Sequence, residues 1–501
     1  MREVWRIDGG LWHGRLMSEE DGTRAFITEV EALLGSRGFT RDAELMAPWL
    51  SDWRGRYHGN ALGMASPAST AEVSAFVALC VRHRVPIVPQ GGNSGMSGGA
   101  TPDATGRAVV LSLRRMDTIR ALDPVARQIT CEAGVILQRL HEAAADHRLR
   151  FPLTLGGKGS ATIGGLVATN AGGTQVLRHG TMRAQVLGLE AVLADGSVID
   201  TLTPLKKDNR GFDLKQLLIG SEGTLGVVTA ATLRLLPELG GRTVAWAGLA
   251  SIGDARRLLV ACEGAAGEAL EGFEVMPAQS LAAVLTHVPG SRSPLTGEHA
   301  WHALIELAAA EGSAERLPAL AEAILGQAME DGIVEDAAIA ANDSQAEAFW
   351  RLRDEIAPAE RALGPAMQHD ISVPVARMAE FVDAAVPLVD ARFPSCRAIA
   401  FGHLGDGNVH FHVLAPPGAE RGAWEQSEGK AVSQFVHDLV TEWRGSISAE
   451  HGIGQMKVEE LGRLGDPAQL AVMRAVKQAL DPQGLLNPGK LVPLARGSAS
   501  P

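Results

Sequence analysis

The chain has 501 residues, 46% hydrophobic and 21% charged, with a formal net charge of −12. That length exceeds one ordinary core, so two or three domains are expected, and the acidic balance argues against a nucleic-acid partner, whose phosphates need a basic surface. The start lacks the apolar centre of a signal peptide, no apolar run approaches the ~20 residues that span a bilayer, and four widely spaced cysteines (Cys80, Cys131, Cys262, Cys396) form no C-x-x-C pair. Unpaired thiols fit a reducing compartment, so a cytoplasmic location is expected, and no iron–sulfur cluster is expected on this chain.

Residues 1–45 are predicted as a helical lead-in, amphipathic around 25–34. A helix start at 66–70 precedes apolar residues at helical spacing over 71–84, and 85–89 is a short buried strand. The strand runs from Pro89 into Gly91, Gly92, Asn93, Ser94 and Gly95, whose backbone N–H groups can converge on an anion such as a diphosphate. No G-x-G-x-x-G with its following acidic residue occurs, so this is not a Rossmann dinucleotide loop. Residues 484–491 imitate the phosphate loop of nucleotide hydrolases, but Leu491 stands where Ser or Thr must hold Mg²⁺ and Pro488 removes a donor. Nucleotide hydrolysis is rejected.

Residues 109–113 and 128–135 are predicted as strands of one sheet. More small-residue loops follow, carrying Gly156, Gly159, Ser160, Gly164 and Gly165, then Asn170, Gly172 and Gly173 with His179 and Gly180 behind them. Another, with Glu222, Gly223 and Gly226, precedes a strand at 227–235. Four glycine clusters within residues 46–237 exceed the needs of turns, and a flat, diphosphate-bearing ligand lying across several loops accounts for them. FAD fits that description. From 238 the texture changes to Ala/Leu/Glu-rich segments, with helices expected at 315–330 and 346–363 around strands such as 300–307. This second, α+β domain, 238–425, is expected to cap the flavin and bind substrate; a helical segment, 426–493, returns to the flavin, and a disordered tail covers 494–501.

Residues 401–413, FGHLGDGNVHFHV, place a Gly-Asp-Gly-Asn turn between two short strands, with His410 and His412 on one face and His403 across the turn. Glu450 and His451 follow among small residues in SAEHGIG. Two imidazoles and a carboxylate form a common catalytic ligand set for Zn²⁺ with one position open to substrate. Alone, that set would also suit a zinc hydrolase, which leaves the glycine clusters unexplained.

With PQGGNSGMSGG, LGGKGSATIGG, TNAGG and KDNRGFDLKQLLIGSEGTLGVVT, the chain resembles the FAD-binding (PCMH-type) domain of the vanillyl-alcohol oxidase superfamily. Adding the histidine hairpin and SAEHGIG makes it similar to the FAD-dependent D-2-hydroxyacid dehydrogenase branch, from about residue 40 to 493. The resemblance implies an α+β fold in which a PCMH-type flavin domain is joined to a substrate cap. It implies zinc or manganese on His403, His410 and Glu450, with His451 as base. Arg353 would grip the substrate carboxylate, and Gln368, His412 and Asn487 would complete the substrate site. Asn93 and Ser94 stand where covalent members often carry His, so FAD is expected to be noncovalent.

Two departures bear on substrate. The lysine usual two residues before Asp370 is Gln368, which removes a charge that a dicarboxylate would use, and an Asn common in relatives acting on 2-hydroxyglutarate is His412. The expected reaction is oxidation of D-2-hydroxyglutarate or D-lactate to the 2-oxo acid. The acceptor would be an electron-transfer flavoprotein, a quinone or a cytochrome, and a homodimer is left open. A second possibility is the flavin subunit of a glycolate-oxidase-like complex that needs an iron–sulfur partner.

Overall fold

The computed structural model describes residues 19–493; the readings of the first residues and of the tail at 494–501 fall outside them. Helix Glu19–Gly38 packs on helix Thr70–His83, joining Phe26 and Val30 to a core with Val73, Phe76 and Val77. Ser69 begins the second helix by accepting the Glu72 amide on Oγ at 3.2 Å, and Arg84 closes it at φ 55°.

Two sheets follow in the N-terminal half. The first has the order Phe39–Thr40, Gly63–Ala65, Val109–Ser112, Ile87–Gln90. The second, antiparallel throughout, has the order Ile119–Asp123, Gln128–Glu132, Val227–Arg234, Val186–Val192, Val198–Asp200. The expectation that 109–113 and 128–135 share a sheet is therefore corrected. Val109–Ser112 pairs in parallel with its neighbours, whereas Gln128–Glu132 pairs antiparallel with Val227–Arg234. Both runs are apolar, and the choice of sheet lies with partners distant in sequence.

A seven-stranded antiparallel sheet makes the second half, in the order Asp336–Ile339, Gly241–Leu249, Trp301–Ala309, Leu270–Pro277, Arg397–His403, Asn408–Leu414, Ala366–Ser372. Helices Ile252–Ala266, Leu317–Glu330 and Met378–Arg392 join one core, and Ala278–His287, Asp343–Asp354 and Ile356–Ala362 join a separate one. The single helix expected at 346–363 is two, because Glu355 leaves helical geometry and caps both; helix-forming composition does not reveal such a break.

Two features bind the halves. Glu271, 3% exposed on the seven-stranded sheet, meets Arg150 at 2.5 Å and Arg178 at 2.6 Å, with His179 at 3.5 Å. After helix Pro467–Leu480 the chain returns to the N-terminal half, where the Ile87 amide donates to the Leu485 carbonyl and Lys477 Nζ donates to the Thr224 carbonyl.

Candidate active site

A cavity of about 670 Å³ runs between the glycine loops, lined by Gly91–Gly95, Gly156, Ser160, Gly164, Gly165, Gly172, Glu222, Gly223 and Gly226 together with Glu450 and His451. Its size suits a cofactor. A side chain at Gly92 would lie 1.7 Å from the Ser160 carbonyl, so two of the loops touch only because glycine is there, whereas one at Gly95 would project into open space. Asn93 and Glu222 both adopt positive φ, 52° and 51°. Thr162 Oγ1 and Gln90 Oε1 are buried at this cavity without a hydrogen-bond partner. Orphaned polar atoms and a glycine-walled slot fit a flat polar ligand such as FAD. Pro89 also lines the cavity.

Several expected cofactor residues stand back from it. Asn170, at φ 51°, closes helix Ile163–Thr169 and accepts the Arg183 amide on its side chain. Gly173 packs against the Thr154 carbonyl. His179 belongs to the Glu271 cluster, and Gly180 follows it at the end of a short helix. Gly159 is absent from the cavity lining. Among the described residues these five support the loops and do not border the slot.

A smaller pocket of about 160 Å³ adjoins the slot, with Met96 and His451 lining both. Strand alternation and the hairpin register put Phe401, His403, His410 and His412 on one face, with the rings of His403 and His410 5.4 Å apart. His403, His410 and Glu450 offer donor atoms within 4.8 Å of one another. His403 Nδ1 meets Glu274 Oε1 at 2.5 Å, and Arg353 Nη2 lies 3.0 Å from His403 Nε2. Burial is outweighed by Glu274, which draws the His403 pKa up to about 9. A guanidinium can donate only to an unprotonated Nε2, however, and on that geometry we take the ring as neutral. For a cation to be held, Arg353 would have to release this nitrogen.

His410 makes no hydrogen bond among the described residues, and burial holds its pKa well below the usual value, so its ring is a neutral donor. Burial pushes the Glu450 carboxyl up to about 7, a cost that a bound cation would relieve. The donor set therefore fits a divalent metal. Asp370 fixes the loop that carries Glu450 and His451: its Oδ2 accepts both of their amides, at 2.9 and 2.8 Å, and its Oδ1 accepts Asn408 Nδ2 at 2.9 Å. Burial pushes His451 down to about 4, against the pull of Asp370, so its imidazole is neutral at working pH.

Arg353 is held by Glu274 through Nε at 2.9 Å, and among the described residues its Nη1 has no hydrogen-bond partner. Gln368 and His412 line the pocket side by side as cross-strand partners, and His412 Nδ1 meets Glu360 at 2.5 Å. Asn487 is not brought to the pocket. At φ 44° it donates to the Gly99 and Glu222 carbonyls and so braces the first glycine loop. Sequence reasoning missed Glu274, Glu360, Arg54 and Arg361, which sit in no motif, and treated Asp370 only as a landmark.

A flavin-sized slot opening onto a histidine-lined pocket defines a flavin-dependent oxidoreductase. The architecture is similar to that of p-cresol methylhydroxylase with substrate bound, at a TM-score of 0.73 and 15% identity, covering 95% of this chain and 98% of that one. A family model described as an FAD binding domain matches residues 61–202, and one described as the C-terminal domain of FAD linked oxidases matches 241–491. The mitochondrial D-2-hydroxyglutarate dehydrogenase of Arabidopsis thaliana is 37% identical over 93% of this chain and 81% of its own length. A D-2-hydroxyglutarate dehydrogenase of Xanthomonas citri is also 37% identical, over 88% of this chain and 91% of its own length. The chain belongs to the FAD-dependent D-2-hydroxyacid dehydrogenase family.

The zinc-hydrolase alternative falls with that finding. So does the expected cytoplasmic location, because the plant and animal relatives are named mitochondrial. The cysteines, three buried and one half-buried, are free, but free thiols report a reducing compartment and cannot say which one. No helix among the described residues is long and apolar enough to cross a membrane.

Proposed function

We propose that this protein oxidises D-2-hydroxyglutarate to 2-oxoglutarate, with noncovalent FAD and a divalent cation, zinc or manganese, on His403, His410 and Glu450. The observation that carries the reading is the position of His451, which lines both the flavin slot and the substrate pocket. The relatives support the choice of substrate. FAD, when bound, would supply the acceptor for the hydride that leaves C2 with both electrons of the oxidation. Arg353 orients the C1 carboxylate through its unpaired Nη1. Neutral His451 takes the hydroxyl proton on an imidazole nitrogen, and Asp370, 3.5 Å from Nδ1, stabilises the imidazolium that forms. His403 and His410 present neutral nitrogens and Glu450 a carboxylate to the cation, which would lower the hydroxyl pKa. Electrons then leave to a non-nicotinamide acceptor such as an electron-transfer flavoprotein, a quinone or a cytochrome.

Metal analysis joined to dye-linked turnover tests this. One metal per chain, loss of turnover on chelation and recovery with Zn²⁺ or Mn²⁺ are expected. Full turnover by metal-free protein would remove the cation from the reaction. Turnover that needs an added iron–sulfur protein would favour the glycolate-oxidase-like alternative.

A further inference from the structure

Three arginines line the substrate pocket, and among the described residues only Arg353 makes an ion pair with a carboxylate. Arg353 is held by Glu274. Arg54, on the loop after the turn Ala47–Trp49, and Arg361, in helix Ile356–Ala362, come from opposite halves of the chain to the same pocket. Among the described residues neither guanidinium makes an ion pair or a side-chain hydrogen bond; Arg361 has only the Trp53 ring, 5.6 Å from its Cζ. Arg54, half-buried with a second cation beside it, is costly to leave without a directly bonded anion. Burial, reinforced by Arg56 and Arg361, pushes the pKa of Arg54 down to about 10 against the pull of Asp52 and Asp370.

The three arginines have different neighbours. Arg353 stands with Glu274 and His403 at the metal-donor end. Arg54 is close enough to act on Asp370 and His451, and exposed Arg361 marks the solvent side. Gln368, also on the wall, makes no side-chain hydrogen bond among the described residues and offers a neutral amide. Asp354 is the only carboxylate on the wall besides Asp370.

We infer that Arg54 and Arg361, assisted by Gln368, form an anion subsite that takes the distal carboxylate of a 2-hydroxy dicarboxylate and supplies the charge that Gln368 itself lacks. The inference rests on the dehydrogenase reading above and deepens it: specificity for a diacid over a monoacid is set by an arginine pair drawn from both halves of the molecule. A guanidinium can give a carboxylate two parallel hydrogen bonds, so the pair holds both distal oxygens. The substrate would then be stretched between Arg353 at C1 and this pair at its far end, with C2 beside His451.

The test uses the flavin-loaded protein and the variants Arg54→Gln, Arg361→Gln and the double variant. Glutarate, a diacid without the reacting hydroxyl, is titrated against the flavin absorbance, with valerate as the monoacid control. Turnover of D-2-hydroxyglutarate is compared with that of D-2-hydroxyvalerate. Each single variant is expected to weaken glutarate about 10- to 100-fold, the size of a lost charge-assisted hydrogen bond, and to lower the ratio of kcat/KM for diacid over monoacid by a similar factor. Arg54→Lys should recover part of that loss, which a folding defect would not. An unchanged ratio and unchanged glutarate affinity would overturn the subsite. If glutarate binds through the arginines but no 2-hydroxy acid is oxidised, the subsite stands and the dehydrogenase reading falls.

Discussion

His451 sits where slot and pocket meet, with its backbone pinned by Asp370 and its ring kept neutral by burial. Replacing it with glutamine should slow flavin reduction by about 10²- to 10⁴-fold, the usual range for a lost general base, while the flavin absorbance spectrum shows FAD still bound. A loss below tenfold would take the proton away from this residue. The sequence shows His403, His410, Glu450 and His451 because they lie in two short glycine-flanked motifs. It hides Glu274, which sits 129 residues from the His403 it orients and has no signature of its own. Arg54 and Arg361 are equally silent, since a lone arginine in a loop or on a helix looks solvated until the fold places it. Asn487 and His179 show the reverse case, in which a residue within a legible motif turns its side chain to brace a loop or join two halves.

At the level of elements, the loop that carries Glu450 and His451 is held from two sides. Asp370 accepts from its first part, and Glu222 from its second, taking the Ile453 amide at 2.8 Å and the Gly454 amide at 2.7 Å. Glu222 also lines the flavin slot, so one carboxylate ties the fourth glycine loop to the loop of Glu450 and His451. Glu222→Ala should cost about 1–3 kcal/mol for each amide left unmet and should loosen FAD. Both effects are measurable, as a lower melting temperature and as flavin lost on gel filtration; an unchanged melting temperature with full flavin would contradict the tie. Element existence was legible where periodicity is strong, as in Thr70–His83 and Leu317–Glu330. Partnership was not. The apolar runs at 109–113 and 128–135 look alike, yet backbone ladders with distant strands assign them to different sheets.

Across the whole molecule, the Glu271 cluster is a buried charged link between the halves. Burial alone would raise the pKa of Glu271, but His179, Arg150 and Arg178 outweigh it and hold the carboxyl well below the usual range. Because the folded value is depressed, this group stabilises the fold above its unfolded pKa of about 4.3 and loses that contribution as pH falls through the folded value. Glu271→Gln should therefore lower the melting temperature at pH 7, by the equivalent of about 3–5 kcal/mol for a broken buried pair. It should also flatten the fall in stability below about pH 4.5, the region where unfolded carboxyls begin to protonate. Parallel pH profiles of variant and wild type would deny the link. The cofactor class was legible at this scale because four glycine clusters recur along one half of the chain, a pattern that turns alone do not require.

Anaerobic mixing of the purified, flavin-loaded protein with D-2-hydroxyglutarate, followed at the flavin band near about 450 nm, addresses the central claim most directly, because the cofactor reports the chemistry itself. Rapid bleaching by the D-acid, with none by its L-enantiomer, is the predicted result. Flavin that dithionite reduces but D-2-hydroxyglutarate leaves oxidised would contradict the account.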